Sequence, residues 1–141
     1  MKITEITEIT ENGGLSVLIP GIDEEKVLSL YAYNPELYFP ILRSYAANTS
    51  ATIKNLYHIT KDNLAVYAIN LHGLKGSSGI IGAENLKRKA ASLEQIAKAG
   101  NLNGVLAENE ELLEEAKTLV ANIKEWLSCR DTGNKKKDLQ L

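Results

Sequence analysis

The chain has 141 residues, of which 44% are hydrophobic and 24% charged, as is ordinary for a soluble globular protein of one domain. Its formal net charge of −2 argues against broad electrostatic attraction to nucleic acid or to an anionic membrane surface. The single cysteine, Cys129, excludes a disulfide within the chain and favours a reducing, cytoplasmic location. Neither a membrane-spanning apolar run nor a secretory signal is recognisable.

The N-terminal residues predict little regular structure. Isoleucine recurs every third residue in the stretch ITEITEIT, a period that suits neither a strand nor a lasting helix face. We therefore expect residues 1–18 to be a leader or linker. A short apolar segment from Leu15 to Pro20, which overlaps its end, could lie across the bundle. Asp23 predicts the N-cap of a short first helix that runs to about Ala32, since two glutamates follow it.

A second helix is predicted to start at Asn34 and Pro35 and to reach about Tyr57. Pro40 conflicts with a regular start, because it lacks an N–H and clashes with the carbonyl four residues earlier. We expect either a kink between residues 36 and 40 or a true start nearer Phe39. The apolar side of this helix comprises Leu37, Ile41, Tyr45, Thr49, Ile53 and Leu56.

A third helix is predicted to be capped by Asp62 and to end in a turn between Gly79 and Gly82. At about 100° per residue, one side of this helix is mostly apolar and should face a core. That side comprises Leu64, Tyr67, Leu71, Leu74, Ser78 and Ile81.

Two further helices complete the pattern. The fourth has a narrow apolar stripe and ends at Gly100; the fifth runs from about Leu102 to Ser128, with Trp126 expected at the edge of the core. The polar residues 129–141 are interpreted as a tail. The short connections predict an all-α fold over residues 19–128, an antiparallel up-down four-helix bundle with an additional short N-terminal helix.

His72 points away from the apolar side of the third helix. Its neighbours three, four and seven positions away are mostly small. They are Ala65, Ala68, Ile69, Lys75, Gly76 and Gly79. Because each interior glycine costs about 0.5–1 kcal/mol relative to alanine, this composition suggests that another molecule approaches the imidazole closely.

The sequence HGLKGSS followed by IGA resembles the signature of histidine phosphotransfer (HPt) domains, H-x-L-K-G-S/T-x-x-x-x-G-A, and LKRKAASLEQIAKAG is similar to the next helix of that family. The similarity extends over about residues 19–127. It implies that His72 accepts a phosphoryl group from a receiver-domain aspartyl phosphate, or passes one on. By the same resemblance Lys75 is the cationic neighbour and Gly76 the gap through which a partner enters. We expect Ala65, Ala68, Ile69 and Gly79 to contact that partner.

Neutral imidazole is a competent phosphoryl acceptor near neutral pH, and phosphoryl transfer needs access and charge neutralisation above all. Lys75 offers one cation, but no acidic residue is predicted near His72. We therefore expect Mg²⁺ and the acidic residues on a receiver domain, and no cofactor or kinase activity in this chain. The expected partners are receiver domains, a hybrid sensor histidine kinase or both, with no nucleic acid or membrane, and the protein is expected to be a monomer.

Other interpretations remain open at this stage. A helical adaptor could bind a partner through the small-residue patch without phosphotransfer. An enzyme could use His72 as a general base, although no orienting acid is apparent. A metal site would need several ligands at a recognisable spacing, and the chain has just one histidine besides His72, namely His58. A P-loop is rejected, because that motif requires Gly-Lys-Ser/Thr after a strand, whereas Lys75, Gly76 and Ser77 occur in the order Lys-Gly-Ser within a helical pattern.

Overall fold

The computed structural model describes residues 18–31 and 34–139, with side chains apart from Pro35 and residues 130–139. Almost all of the predicted leader therefore lies outside the described residues. Within them the chain forms five α-helices and two 3₁₀ turns, contains no strand, and has no helix long and apolar enough to cross a membrane. The helices are α1 (Glu24–Tyr31), α2 (Tyr38–Lys54), α3 (Leu64–Ile81), α4 (Glu84–Lys98) and α5 (Leu102–Leu139).

The four longer helices form a bundle. Helix α2 packs against α3 and α5, and α4 packs against the same two helices, so each helix has two neighbours around one core. The connections from α3 to α4 and from α4 to α5 are short, which makes consecutive helices antiparallel. The predicted all-α fold is confirmed.

Helix α1 closes one end of the bundle. The backbone N–H of Lys26 donates to Oδ1 of Asp23 at 3.3 Å, as predicted for an N-cap, and Val27 is buried. Gly82 ends α3 with a φ of +86°. A Cβ there would lie 2.9 Å from Val27, so this turn requires glycine both for its conformation and for its contact with α1.

Two tyrosines bind the last carbonyls of α3. The hydroxyl of Tyr31 donates to the carbonyl of Ile80 at 2.8 Å, and that of Tyr38 donates to the carbonyl of Ile81 at 2.7 Å. Such carbonyls have no partner within their own helix. The two bonds therefore fix the C-terminal end of α3 against α1 and α2.

The start of α2 resolves the conflict posed by Pro40. A 3₁₀ turn over Pro35–Leu37 precedes the α-helix, which begins at Tyr38, next to the predicted alternative start. Pro40 thus lies in the first turn, where an N–H would have no intrahelical partner. The prediction that Leu37 faces the core is wrong, because this residue is exposed, and α2 ends at Lys54 rather than near Tyr57.

The loop before α3 differs from the prediction that Asp62 caps the helix. Asn63 makes the side-chain contacts instead, accepting the N–H of Thr60 at 2.8 Å and donating to the carbonyl of His58 at 2.6 Å. These bonds stabilise a 3₁₀ turn over Lys61–Asn63 that leads directly into α3.

A buried asparagine connects this loop with the bundle. Asn109 of α5 donates to the carbonyl of Leu56 at 2.8 Å and accepts the hydroxyl of Tyr67 at 2.6 Å. Because all of these polar groups are shielded from water, the bonds offset the cost of burying them. They fix the N-terminal half of α3 relative to α5.

Helix α5 departs from two predictions. Trp126 is fully buried and stacks on Phe39 with ring centroids 5.7 Å apart, so it belongs to the core rather than its edge. The helical backbone continues to Leu139, beyond the predicted end at Ser128. The prediction that residues 129–141 are a tail stays a prediction.

Candidate functional site

The buried face of α3 sets the direction of His72. All six residues predicted to face the core are buried, and the hydroxyl of Ser78 is within 2.9 Å of the hydroxyl of Tyr45. With this face fixed, the opposite side of α3 must face outward. The side chain of His72 is accordingly 67% exposed.

A carboxylate from the next helix contacts His72. Oε2 of Glu94, on α4, lies 2.9 Å from Nδ1 of the imidazole. The Glu94 side chain is only 1% exposed. Acidic side chains are rarely buried unless they are paired. The contact with His72 therefore helps to stabilise the buried carboxylate at the interface between α3 and α4.

Two lysines also bind Glu94. Nζ of Lys75 donates to Oε1 at 2.8 Å, and Nζ of Lys98 lies 3.0 Å from Oε2. Hydrogen bonds from Lys75, and then from Lys98 and His72, outweigh desolvation and lower the pKa of Glu94 to about 2. The carboxyl group is therefore ionised at neutral pH.

An ionised carboxylate only accepts hydrogen bonds, so the contact with Glu94 assigns the proton to Nδ1 of His72. In the neutral ring the lone pair then resides on Nε2. No hydrogen bond from Nε2 to another residue is found in the described part of the chain. Nε2 is therefore the ring nitrogen that keeps an available lone pair.

A groove of about 500 Å³ runs beside the imidazole between α3 and α4. Ile69, strongly exposed, supplies apolar surface there, while Glu94 and Lys98 supply charge. The groove combines a wide apolar surface with a small charged end, as is typical of a protein-docking or ligand-binding site. Its lining includes Ala65, Ala68, Ile69, His72, Glu94 and Lys98.

The predicted small-residue patch is only partly accessible. Ala65 and Gly76 are exposed, and a Cβ at Gly76 would meet nothing within 4 Å. Ala68 is buried but lines the groove, so its predicted contact with a partner stays a prediction. Gly79 is half-buried, and a Cβ there would lie 3.3 Å from the side chain of Lys87.

Two expectations about charge are corrected. The sequence predicted no acidic residue near His72, yet Glu94 bonds it directly. Lys75 was expected as the cationic neighbour of His72, yet its side chain, 30% exposed, pairs with the buried carboxylate of Glu94. A signal for Glu94 exists in the sequence: it lies four residues after Ala90 and three before Ala97, inside the buried arc of α4.

The alternative sites obtain no support from the geometry. Among the described residues, no group of three or more His, Cys, Asp or Glu side chains could hold a metal ion. Lys75, Gly76 and Ser77 lie within α3, whereas the phosphate-binding loop of a P-loop protein follows a strand.

Comparison with protein families identifies this arrangement. The family model of the Hpt domain matches residues 41–126, from α2 through most of α5. The chain belongs to the Hpt domain family. Hpt domains are phosphotransfer carriers rather than kinases, and they interact with receiver domains and kinases in phosphorelays. No curated protein and no solved structure matched the chain.

Proposed function

We propose that this Hpt domain accepts a phosphoryl group on Nε2 of His72 from a receiver-domain aspartyl phosphate and can return it to such an aspartate. The observation that supports this assignment is the bond between Nδ1 and Glu94. It leaves the second ring nitrogen exposed beside an open groove. An incoming phosphorus atom therefore has in-line access, which phosphoryl transfer requires.

The proposed step balances within the two proteins. The lone pair of Nε2 forms the N–P bond while the P–O bond to the aspartate breaks, and that electron pair stays on the carboxylate. Nδ1 keeps its proton, so the ring acquires a positive charge that faces the ionised Glu94. The Mg²⁺ ion and the acidic residues around the donor are expected on the partner, because Glu94, the acid that lines the groove, is already paired with two lysines.

The groove supports a protein partner for the same reaction. Ile69 and Ala65 give apolar contact, and the open position at Gly76 lets a partner's backbone or side chain approach the ring. We propose a receiver domain, of a response regulator or of a hybrid sensor kinase, as the occupant, and a monomeric, cytoplasmic carrier as the sequence predicts. A pure adaptor would use the groove but gives no role to a buried acid that orients an exposed imidazole.

The test is phosphotransfer from a purified phosphorylated receiver domain, followed by mapping of the acid-labile phosphate. Label on His72, and none in His72→Gln, is the expected result. Label on His58, or label that survives in His72→Gln, would contradict the assignment. Binding of the receiver without transfer to His72 would favour the adaptor.

A further inference from the structure

We propose that Lys98 is a second phosphoryl-binding residue, whose ammonium group moves from Glu94 to the phosphoryl group when His72 is phosphorylated. The inference rests on the proposed function and adds a ligand for its product. Nζ of Lys98 is bound to Glu94 at 3.0 Å, so a cation lies beside His72 without any help from a phosphoryl group.

The first argument is position. Nζ of Lys98 and Nδ1 of His72 share one oxygen atom, Oε2 of Glu94. Lys98 also lines the groove onto which the imidazole opens, and its side chain is 56% exposed. A flexible four-carbon stem anchored so close to the ring can direct its ammonium group toward either the carboxylate or a phosphoryl group on Nε2.

The second argument concerns which lysine can leave. Lys75 binds Oε1 of Glu94 and is the less exposed of the two. If Lys98 leaves, Oε2 keeps its bond to His72 and Oε1 keeps its bond to Lys75. If Lys75 leaves, Oε1 loses the bond that lowers the carboxyl pKa most. Because a buried charge without a partner is costly, Lys98 is the lysine that can exchange.

The third argument is charge. With a neutral imidazole, two ammonium groups surround one carboxylate, so the cluster carries an excess positive charge. A phosphoryl dianion on Nε2 and the positive ring together bring the cluster to neutrality. An ammonium group forms a short, charge-assisted hydrogen bond with a phosphoryl oxygen. The excess positive charge of the cluster therefore balances the net negative charge that phosphorylation adds.

The experiment phosphorylates His72 chemically with phosphoramidate, so that it does not depend on a receiver domain. We expect Lys98→Ala to slow phosphorylation by about threefold or more. The same substitution is then made in a Glu94→Gln background. A lysine that acts only by holding the carboxylate has no further effect there, whereas a lysine that binds the phosphoryl group still slows the reaction by about threefold.

A further loss in the Glu94→Gln background supports the proposal, and an unchanged rate in that background overturns it. Lys89→Ala is the matched control, because Lys89 lies on the same helix and pairs with Glu111 and Glu115 outside the groove. If Glu94→Gln does not fold, nitrogen NMR of the lysine ammonium groups decides in the otherwise unaltered protein. The Lys98 resonance should shift on phosphorylation, and an unshifted resonance overturns the proposal.

If phosphoramidate labels His72 and a phosphorylated receiver does not, the proposed function fails while the role of Lys98 is still measured. If both donors label His72 and Lys98→Ala has no effect of its own in the Glu94→Gln background, only the inference about Lys98 fails.

Discussion

Helix α4 carries two ion-pair clusters built from the same kinds of residue. In one, the buried Glu94 is surrounded by His72, Lys75 and Lys98. In the other, the half-buried Lys89 lies between Glu111 and Glu115, with 2.8 Å to an oxygen of each. The first cluster has an acid at its centre and cations outside; the second has the opposite arrangement.

The two clusters differ in how far water reaches their acidic side chains. Glu111 is 73% exposed; its bond to Lys89 lowers its pKa and raises that of the lysine, but water can replace either partner. The Glu94 carboxylate is shielded from water and must keep protein partners. It can therefore hold an exposed imidazole in one orientation, and a cluster with an exposed acid cannot.

The largest expected effect follows from removing the buried acid. We expect Glu94→Ala to slow transfer from a phosphorylated receiver by about 10- to 100-fold, about 1.4–2.7 kcal/mol, because Nδ1 of His72 loses the acceptor that orients the ring. Stopped-flow or quench-flow phosphotransfer measures the rate.

Glu94→Gln should recover part of this loss, since the amide oxygen still accepts from Nδ1. Glu111→Ala, which removes an exposed acid of the second cluster, should transfer within about twofold of the unaltered protein. Equal losses in Glu94→Ala and Glu111→Ala would abolish the distinction between the clusters.

The second effect tests shape rather than charge at the same cluster. Gly76 lies about 40° from His72 around α3, and space is open at that position. We expect Gly76→Gln to leave the fold intact, since glycine is a poor helix former, and to slow transfer at least about tenfold by blocking the partner. Circular dichroism checks the fold.

Gly73→Gln is the matched control, because space is equally open there while the position lies about 100° from His72. Its loss should be several times smaller than that of Gly76→Gln. A natively folded Gly76→Gln that transfers at the normal rate would refute the access argument.

The third effect compares the two clusters through their lysines. Lys75→Ala should slow transfer by about 3- to 30-fold, about 0.6–2 kcal/mol, because it removes both a cation beside the phosphoryl group and a partner of Glu94. Lys75→Arg should restore only part of the rate, since a planar guanidinium does not replace a compact ammonium. Lys89→Ala should change the rate by less than about twofold. Identical rates for Lys75→Ala and Lys89→Ala at low salt would remove Lys75 from the site.

A separate effect appears in the stability of the protein rather than in the transfer rate. The folded-state pKa of Glu94, about 2, lies below its ordinary value of 4.5. The stabilisation is therefore complete above about pH 4.5 and is lost as the pH falls through about 2. We expect Glu94→Gln to be less stable than the unaltered protein by about 1–3 kcal/mol at pH 7, with the difference shrinking toward pH 2. Urea unfolding at several pH values measures it, and a constant difference would argue against an ionised Glu94.

Much of the fold follows from the sequence alone, because helical periodicity is a local property. The buried face of α3 and the stripe of α4 are as predicted, and the motif around His72 indicates the family that the comparison confirms. Local rules left two alternatives open where two preferences competed. Pro40 disfavours an early helix start, whereas Asn34 and Pro35 favour one, and the structure has a 3₁₀ turn over Pro35–Leu37 before the α-helix begins at Tyr38.

The partner of His72 is decided by the tertiary structure. Glu94 lies 22 residues away along the chain, and helical periodicity places it in the buried arc of α4 without showing which residue of α3 it meets. Whether Glu94 contacts His72 depends on where α4 packs along the axis of α3 after the turn at Gly82. Ala68 is buried in the same packing. The sequence alone determines that His72 faces outward, because this depends on one helix. Which ring nitrogen is free depends on how two helices pack, because a carboxylate on the second helix holds the other nitrogen.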